Sequence, residues 1–324
     1  MNVGIIGVGN IGKELFTKVL QYGWEVTFIL KRDGVYRAFS EKIDTLENYR
    51  AHTKNVDIVF LAIPTTDDGK VAYEYISFFL EKNIPVVTCE KGAMSNYYSE
   101  LVKYKEKIGY SSTVGGGSGI LKFSEEKIGM ETQGVDVVLN GTLNFIFDQV
   151  SSGYDINHVV LEAQKRGYTE PGSQNVLEVL NKEATSDIPM KVSIFFNVCN
   201  FSNQKIKAKN IKVQKISEKD LKKLIEEASI RRYVVSFSKI QDNETMIGGF
   251  IHKANGWMIS GGFRYMEKKA EYKELKLSGV DNGVVIIGDN GTCKLVGSGA
   301  GAGSYHIFNG GRCFSSFKSK VNYV

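Results

Sequence analysis

The chain has 324 residues, enough for two domains that each bury a core. Hydrophobic residues make up 42% and no apolar run approaches the length of a membrane span, so the pattern excludes a disordered chain and argues against a membrane-spanning one. A net charge of +5, spread over many lysines, is too mild for a nucleic-acid partner but suits an anionic small ligand.

The four cysteines, Cys89, Cys199, Cys293 and Cys313, show no CxxC and no metal-ligand spacing. They read as thiols of a reducing compartment, and no signal peptide precedes the first strand, so the expectation is a cytoplasmic protein without a metal.

Taken in order, Asn2 to Ile6 predicts a short buried strand that runs into Gly7-Val8-Gly9-Asn10-Ile11-Gly12. A helix over Lys13 to Tyr22 follows, with Leu15, Phe16, Val19 and Leu20 at helical spacing. A G-x-G-x-x-G is weak alone and strong between a first strand and a helix. Gly7 permits the tight turn, Gly9 lets a pyrophosphate approach the backbone, and Gly12 lets helix and strand pack closely. Asn10 and Ile11 belong to the same phosphate-facing turn, at the positive end of the helix. The second strand, Trp24 to Leu30, ends in Lys31-Arg32, where an NAD site commonly has an acid for the ribose 2′-hydroxyl. A basic pair there favours a 2′-phosphate and hence NADP. Asp33 keeps NAD open, and the bland alternative is a solvated charge pair.

Asp57 to Ile63 predicts another buried strand, closed by Pro64-Thr65-Thr66 at the end where a nicotinamide would lie. A helix over Tyr73 to Leu80 and a strand over Ile84 to Cys89 follow. The strand delivers Glu90-Lys91-Gly92, so Lys91 projects from a strand end or is an ordinary surface lysine. Asn96 to Lys107 predicts an amphipathic helix and Tyr110 to Val114 a strand. Gly115-Gly116-Gly117-Ser118-Gly119 then has four glycines in five residues, which suggests backbone brought very close to something.

Val135 to Leu139 predicts a strand, broken by Asn140-Gly141, with Thr142 placed to cap a helix that begins at Leu143. Ile156 to Lys165 predicts a helix, followed by Gly167-Tyr168-Thr169-Glu170-Pro171. A further helix starts at Asp187-Ile188-Pro189-Met190-Lys191, with Asp187 as N-cap and Pro189 in the first turn. Spacing of four puts Asp187 and Lys191 on one side, as a plain ion pair or as a proton-transfer lysine beside a carboxylate. Lys205 to Lys239 is basic and helical, with a strand at Tyr233 to Phe237. Met246 to Ile251, Trp257 to Phe263 and Val284 to Ile287 alternate like strands of an antiparallel sheet, an arrangement that often pairs subunits. Gly297-Ser298-Gly299-Ala300-Gly301-Ala302-Gly303 closes the pattern.

In this order the motifs resemble the homoserine dehydrogenase family. The resemblance is carried by the first glycine loop, Thr88-Cys89-Glu90-Lys91, the glycine run, Leu139-Asn-Gly-Thr-Leu-Asn-Phe-Ile146, Gly167-Tyr-Thr-Glu170, Asp187 with Lys191, and the late glycine loop. It implies an α/β chain, with a Rossmann-like dinucleotide-binding domain over 1–130 and 298–324 and an α+β catalytic and dimerisation domain over 131–297. The implied reaction is NAD(P)-dependent hydride transfer between L-homoserine and L-aspartate 4-semialdehyde, a step towards threonine and methionine. NADP is the expected cofactor, with NAD second, the substrate is a small amino acid, and a homodimer is implied. Lys191 and Lys91 become the candidate proton-transfer groups. Glu170 and Asp187, with Gly116, Gly117, Asn140 and Thr142, become the substrate contacts. Gly7, Gly9, Asn10, Ile11, Gly12, Lys31, Arg32, Pro64, Thr65, Lys91, Gly299 and Gly301 become the cofactor contacts.

Among the departures from the family pattern, which include Ser298 for a proline in the late glycine loop, two concern the substrate and ion sites. The usual acidic run becomes Gly172-Ser173-Gln174-Asn175, and Ser111 stands where some members place a glutamate beside a monovalent cation, so no ion is expected. The first departure leaves open a dehydrogenase of a related amino acid or semialdehyde, and a non-catalytic NADP-binding protein.

Overall fold

The computed structural model describes residues 1–169, 173, 175–240 and 246–299. Contacts divide the chain after Thr113, with Met1–Thr113 in one unit and the described residues from Val114 onward in another.

In the first unit the alternation of apolar strands and amphipathic helices becomes β1 (Asn2–Ile6), α1 (Asn10–Gln21), β2 (Glu25–Lys31), β3 (Gly34–Tyr36), β4 (Lys42–Asp44), β5 (Ile58–Leu61), α2 (Lys70–Glu81), β6 (Val86–Thr88), α3 (Lys91–Asn96), α4 (Tyr98–Leu101) and β7 (Ile108–Gly109). The seven strands form one sheet in the order β4-β3-β2-β1-β5-β6-β7. The five strands β2, β1, β5, β6 and β7 run parallel, and their near-continuous Val and Ile runs fit a sheet covered on both faces. The core gathers Val3, Ile5, Ile29, Ile58 and Phe60, with Val19 from α1. Strand order reverses at β1, which has β2 on one side and β5 on the other. The loop at its carboxyl end, Gly7 to Gly9, therefore occupies the crevice where doubly wound sheets bind ligands.

The second unit contains α5 (Ile120–Lys127), β8 (Thr132–Val138), α6 (Gly141–Ser151), α7 (Ile156–Lys165), α8 (Val176–Lys182), α9 (Ile188–Val198), α10 (Glu218–Glu226), β9 (Arg231–Ser238), β10 (Ile247–Ala254), β11 (Trp257–Tyr265), α11 (Ala270–Lys273), β12 (Asp281–Gly288) and β13 (Gly291–Ser298). Its sheet is antiparallel throughout, in the order β10-β11-β9-β8-β12-β13. One face of it is paved with aromatic rings: Phe147 of α6 meets Phe263 at 4.6 Å, and Phe195 and Phe196 of α9 stack with Phe237. Helices α6 and α9 are thus fixed to the sheet by aromatic burial, and the turn before each one is where the polar residues collect.

Several expectations need correction. The division falls after Thr113 rather than near residue 130, because α5 packs on β12, β13 and α9 and so belongs with the second sheet. The expected helix over Asn96 to Lys107 breaks into α3, α4 and a 3-10 stretch. The Glu90 carboxylate caps an earlier start, and Tyr97, stacked on Tyr73 at 4.5 Å, leaves helical dihedrals at φ −122°. Tyr110 to Val114 is not a strand. The Thr113 hydroxyl and amide both donate to the Tyr110 carbonyl and fold the segment into a turn. Among the features not foreseen are the β3–β4 extension of the first sheet, the helices α5, α8 and α11, and β13, which the two-residue turn Asp289-Asn290 joins to β12.

The glycine loop is built with no room for side chains at its base. Gly7 has φ +97°, and a Cβ there would lie 2.2 Å from the Ala62 carbonyl oxygen. Gly7→Ala is expected to destabilise the protein by about 2–4 kcal/mol, from left-handed strain and forced displacement of β5. Urea unfolding checks this, and a loss below about 0.5 kcal/mol contradicts it.

Candidate functional site

The first unit offers a nucleotide-shaped turn. Gly9 is the N-cap of α1 with no side-chain cap, so the first amides of a 12-residue helix are left for a ligand. A Cβ on Gly9 would meet nothing within 4 Å, so protein packing does not demand glycine there. Gly12 is demanded by packing, since its Cβ would lie 2.0 Å from the Gly7 carbonyl oxygen. Asn10 and Ile11 open the helix. The Gly7 amide donates to the Leu30 carbonyl at 3.0 Å, which ties the end of β2 to the loop.

Lys31, Arg32 and Asp33 follow directly and turn into β3. The Lys31 ammonium lies 3.9 Å from the centroid of the Tyr36 ring and donates to the Phe39 carbonyl. Arg32 is exposed. Asp33 accepts from the Tyr36 hydroxyl at 2.6 Å, and that bond holds its carboxyl below the usual range.

Further along the same sheet edge, Glu90 organises the ends of β5 and β6. Its buried carboxylate accepts from the amides of Gly92 and Ala93, both at 2.7 Å, and from the Thr65 hydroxyl. One acid thus fixes the Pro64-Thr65 turn and the start of α3, where Lys91 stands half-buried at the first helical position. Gly92 is tight, since a Cβ there would come within 2.6 Å of Thr65 Cγ2. Burial pushes the neighbouring Cys89 thiol up to about 11, which makes it inert. Glu90 was not singled out by sequence, since glutamate is not among the usual N-cap residues.

In the second unit, β8 delivers Asn140 to the mouth of α6. Asn140, not Thr142, caps the helix: its side-chain oxygen accepts from the Leu143 amide at 2.7 Å. The Thr142 hydroxyl instead donates to the Tyr168 carbonyl at 2.5 Å and fastens the chain that leads to residue 169. With its oxygen occupied, the Asn140 amide nitrogen donates to Glu183 Oε2 at 2.6 Å and Asp187 Oδ2 at 2.9 Å. Lys191 Nζ lies 2.7 Å from the same Asp187 oxygen. Asn140, Glu183 and Asp187 are all buried, and the Lys191 side chain is 14% exposed.

Two carboxylates meet one amide because the helix widens between them. Residues Glu183–Asp187 form a π-helical turn between α8 and α9, in which the Ile188 amide donates to the Glu183 carbonyl. Pro189 has no amide to give the Thr185 carbonyl, and the Thr185 hydroxyl donates back to the Asn181 carbonyl at 2.7 Å. Both effects disturb the ordinary ladder. Asp187 therefore lies inside a continuous helical run and makes no cap, contrary to the N-cap expectation. Glu183 was missed, because its approach to Asn140 depends on that widened turn.

The glycine run is shaped mainly by the protein itself. Gly115 and Gly119 have positive φ and flank a 3-10 turn over Gly116–Ser118. A Cβ on Gly116 would lie 2.7 Å from the Gly299 carbonyl oxygen, and one on Gly299 would overlap Asn282 Oδ1. The early and late glycine segments thus pack on each other, while Gly117 is partly exposed. Glu170, Gly301 and the stretch to Val324 lie outside the described residues. Among the described residues no three His, Cys, Asp or Glu side chains gather as a metal site, and no helix is long and apolar enough to cross a membrane.

A family model of homoserine dehydrogenase matches residues 120–307, and a model described as NADP oxidoreductase coenzyme F420-dependent matches residues 2–86. A homoserine dehydrogenase of Schizosaccharomyces pombe is 26% identical over 238 residues, which cover 61% of this chain and 61% of that one. A bifunctional aspartokinase/homoserine dehydrogenase of Buchnera aphidicola is 24% identical over 67% of this chain and 30% of its own length. The chain thus spans about three fifths of the first relative and under a third of the second. Among solved structures, a homoserine dehydrogenase from Thermoplasma acidophilum matches with a TM-score of 0.70 at 14% identity, over 98% of this chain and 99% of that one. A hyperthermophilic archaeal homoserine dehydrogenase in complex with NADPH matches with a TM-score of 0.66 at 20% identity, over 100% of this chain and 98% of that one. At such identities these structures speak for the shared fold.

The Asn140 network orders two substitutions. Asn140→Ala removes the cap and both donors to the acids, at a cost of about 2–4 kcal/mol. Asn140→Asp keeps a capping oxygen but sets a third carboxylate against Glu183 and Asp187, so it is expected to cost more than alanine at neutral pH. Unfolding of the two variants side by side checks the order, and aspartate milder than alanine overturns it.

Proposed function

The chain belongs to the homoserine dehydrogenase family, whose model covers more than half of it, and we propose that it catalyses NAD(P)-dependent hydride transfer between L-homoserine and L-aspartate 4-semialdehyde. The observation that carries this reading is the buried group of Asn140, Glu183, Asp187 and Lys191 at a strand–turn–helix junction. Two acids suit a substrate ammonium, and a lysine beside them suits a proton on a neighbouring oxygen. Gly116, Gly117 and Thr142 are assigned to the same substrate surface, as is Glu170.

The first unit is read as the dinucleotide site. The open backbone at Gly9 and the free amides of α1 fit a pyrophosphate, Arg32 fits a ribose phosphate, and Pro64 and Thr65 lie at the end that suits a nicotinamide. A relative solved with NADPH supports the phosphorylated cofactor. When bound, the dinucleotide supplies the hydride acceptor. Gly299 and Gly301 are assigned as late-loop contacts to it.

The proton is the protein's part. As the hydroxyl of homoserine is oxidised, its proton passes to Lys191 Nζ, and it returns from there in reduction. A substrate ammonium held by Glu183 and Asp187 competes with Lys191 for Asp187 and repels its charge, which favours the neutral amine that can accept the proton. Lys91 is the second candidate carrier. We place the protein in the cytoplasm as a homodimer joined through the antiparallel sheet, in keeping with the family and with described cysteines that are all free thiols.

The departure at Gly172 to Asn175, with Glu183 brought in by the widened turn, favours a related amino acid or semialdehyde as the second reading. Purified protein is expected to reduce the dinucleotide in a homoserine-dependent manner. Lys191→Met should keep cofactor binding and lower turnover by about 100-fold or more, with no rescue by arginine, whose guanidinium stays protonated. Near-parental turnover in Lys191→Met with loss in Lys91→Met moves the proton to Lys91. Near-parental turnover in both removes the enzymatic reading.

A further inference from the structure

We propose that Tyr36 sets the cofactor preference by holding Lys31 and Asp33 away from the nucleotide, which leaves Arg32 as the residue of this turn that reads a ribose phosphate. The inference rests on the first unit being an NADP site.

Three consecutive charged residues leave β2, and two of them are occupied by one aromatic ring. The Lys31 ammonium lies against the face of Tyr36, 3.9 Å from the centroid, and is held there by the Phe39 carbonyl. The hydroxyl of the same ring donates to Asp33 Oδ2 at 2.6 Å. Both are strong contacts, one cation–π and one charge-assisted hydrogen bond. The clamp is anchored. Tyr36 is buried in β3, in register with Ile29 of β2, and Phe39 packs on Phe16 of α1 at 4.5 Å. The helix that starts at the glycine loop thus braces the carbonyl that holds Lys31. Lys42, on β4, adds an electrostatic pull on Asp33. Arg32 is exposed, and no hydrogen bond or ion pair engages it among the described residues.

The chemical consequence follows from what the two cofactors present. A ribose 2′-hydroxyl asks for a carboxylate acceptor just past this strand, and Asp33 is the acid in place to provide one. A 2′-phosphate is repelled by a carboxylate and attracted by a guanidinium. By fixing Oδ2 against β3, the Tyr36 hydroxyl turns the Asp33 carboxylate away from the ribose of the unphosphorylated cofactor and leaves the arginine in front. Tyr36 is therefore a positioning residue for specificity and need not touch the cofactor.

The test is fluorescence titration of NADPH and NADH on the full chain, comparing the parent with Tyr36→Phe, Asp33→Asn, the double variant and Arg32→Ala. Arg32→Ala is expected to weaken NADPH by about tenfold or more and NADH by less than about twofold. Equal losses, or a parent that binds neither nucleotide, refute the NADP reading itself, and the inference falls with it. Tyr36→Phe keeps the ring for Lys31 and releases Asp33, so the preference for NADPH over NADH should fall by about fivefold or more through tighter NADH binding. Adding Asp33→Asn should abolish that gain. Asp33→Asn alone, which does not depend on the folding of Tyr36→Phe, should leave NADH affinity within about twofold, because the carboxylate is already engaged. An unchanged preference in folded Tyr36→Phe, a gain that survives Asp33→Asn, or a clear loss of NADH binding in Asp33→Asn alone overturns the inference while the NADP reading stands.

Discussion

The orientation of one buried amide governs the second unit. Asn140 has an acceptor on one side and two donors on the other, and the helix that follows decides which is which. The Leu143 amide claims the oxygen, so both N–H groups must point at Glu183 and Asp187. That single choice fixes the position of two acids, and through Asp187 the position of Lys191. Aromatic packing holds the frame: Phe147, Phe195 and Phe196 fasten α6 and α9 to the sheet, so the network has little freedom to relax. Buried charge is costly unless it is paired and hydrogen-bonded, and here each acid has a donor from the strand–helix turn.

The first unit repeats the device with a different residue. Glu90 caps α3 and takes the Thr65 hydroxyl, so one carboxylate joins two strand ends at the edge of the parallel sheet. At the other end of the sheet Tyr36 plays a comparable part for the charged turn after β2. In each case a short-range polar bond fixes a loop at a carboxyl-terminal strand end, where open α/β sheets place their ligands.

Much of this was legible from residues alone because it is local. Gly7, Gly9 and Gly12 between a strand and a helix specify a phosphate-facing turn, and near-continuous Val and Ile runs specify the strands of the first sheet. Asn140-Gly141 specifies a break that must be capped. What could not be read depends on contacts distant in sequence or on departures from regular geometry. Glu183 reaches Asn140, 43 residues earlier, only because the chain widens into a π-helical turn there. Pro189 and Thr185 are the local signs of that turn, yet neither says which way Glu183 points. The boundary after Thr113 depends on where α5 packs, which periodicity does not encode. Tyr36 carries no mark in the sequence, because its contacts require the β3 hairpin to fold back on Lys31 and Asp33.

The claim that ties these features together is that the acid–lysine group serves an alcohol oxidation in which hydride leaves carbon as a proton leaves oxygen. It is tested most directly with L-homoserine deuterated on its hydroxyl-bearing carbon, supplied with oxidised NADP and purified protein. The account predicts deuterium in the reduced nicotinamide, one atom for each aldehyde formed, with transfer lost in step with turnover in Lys191→Met. Aldehyde formed without deuterium in the nicotinamide, or no aldehyde from homoserine at all, would contradict it.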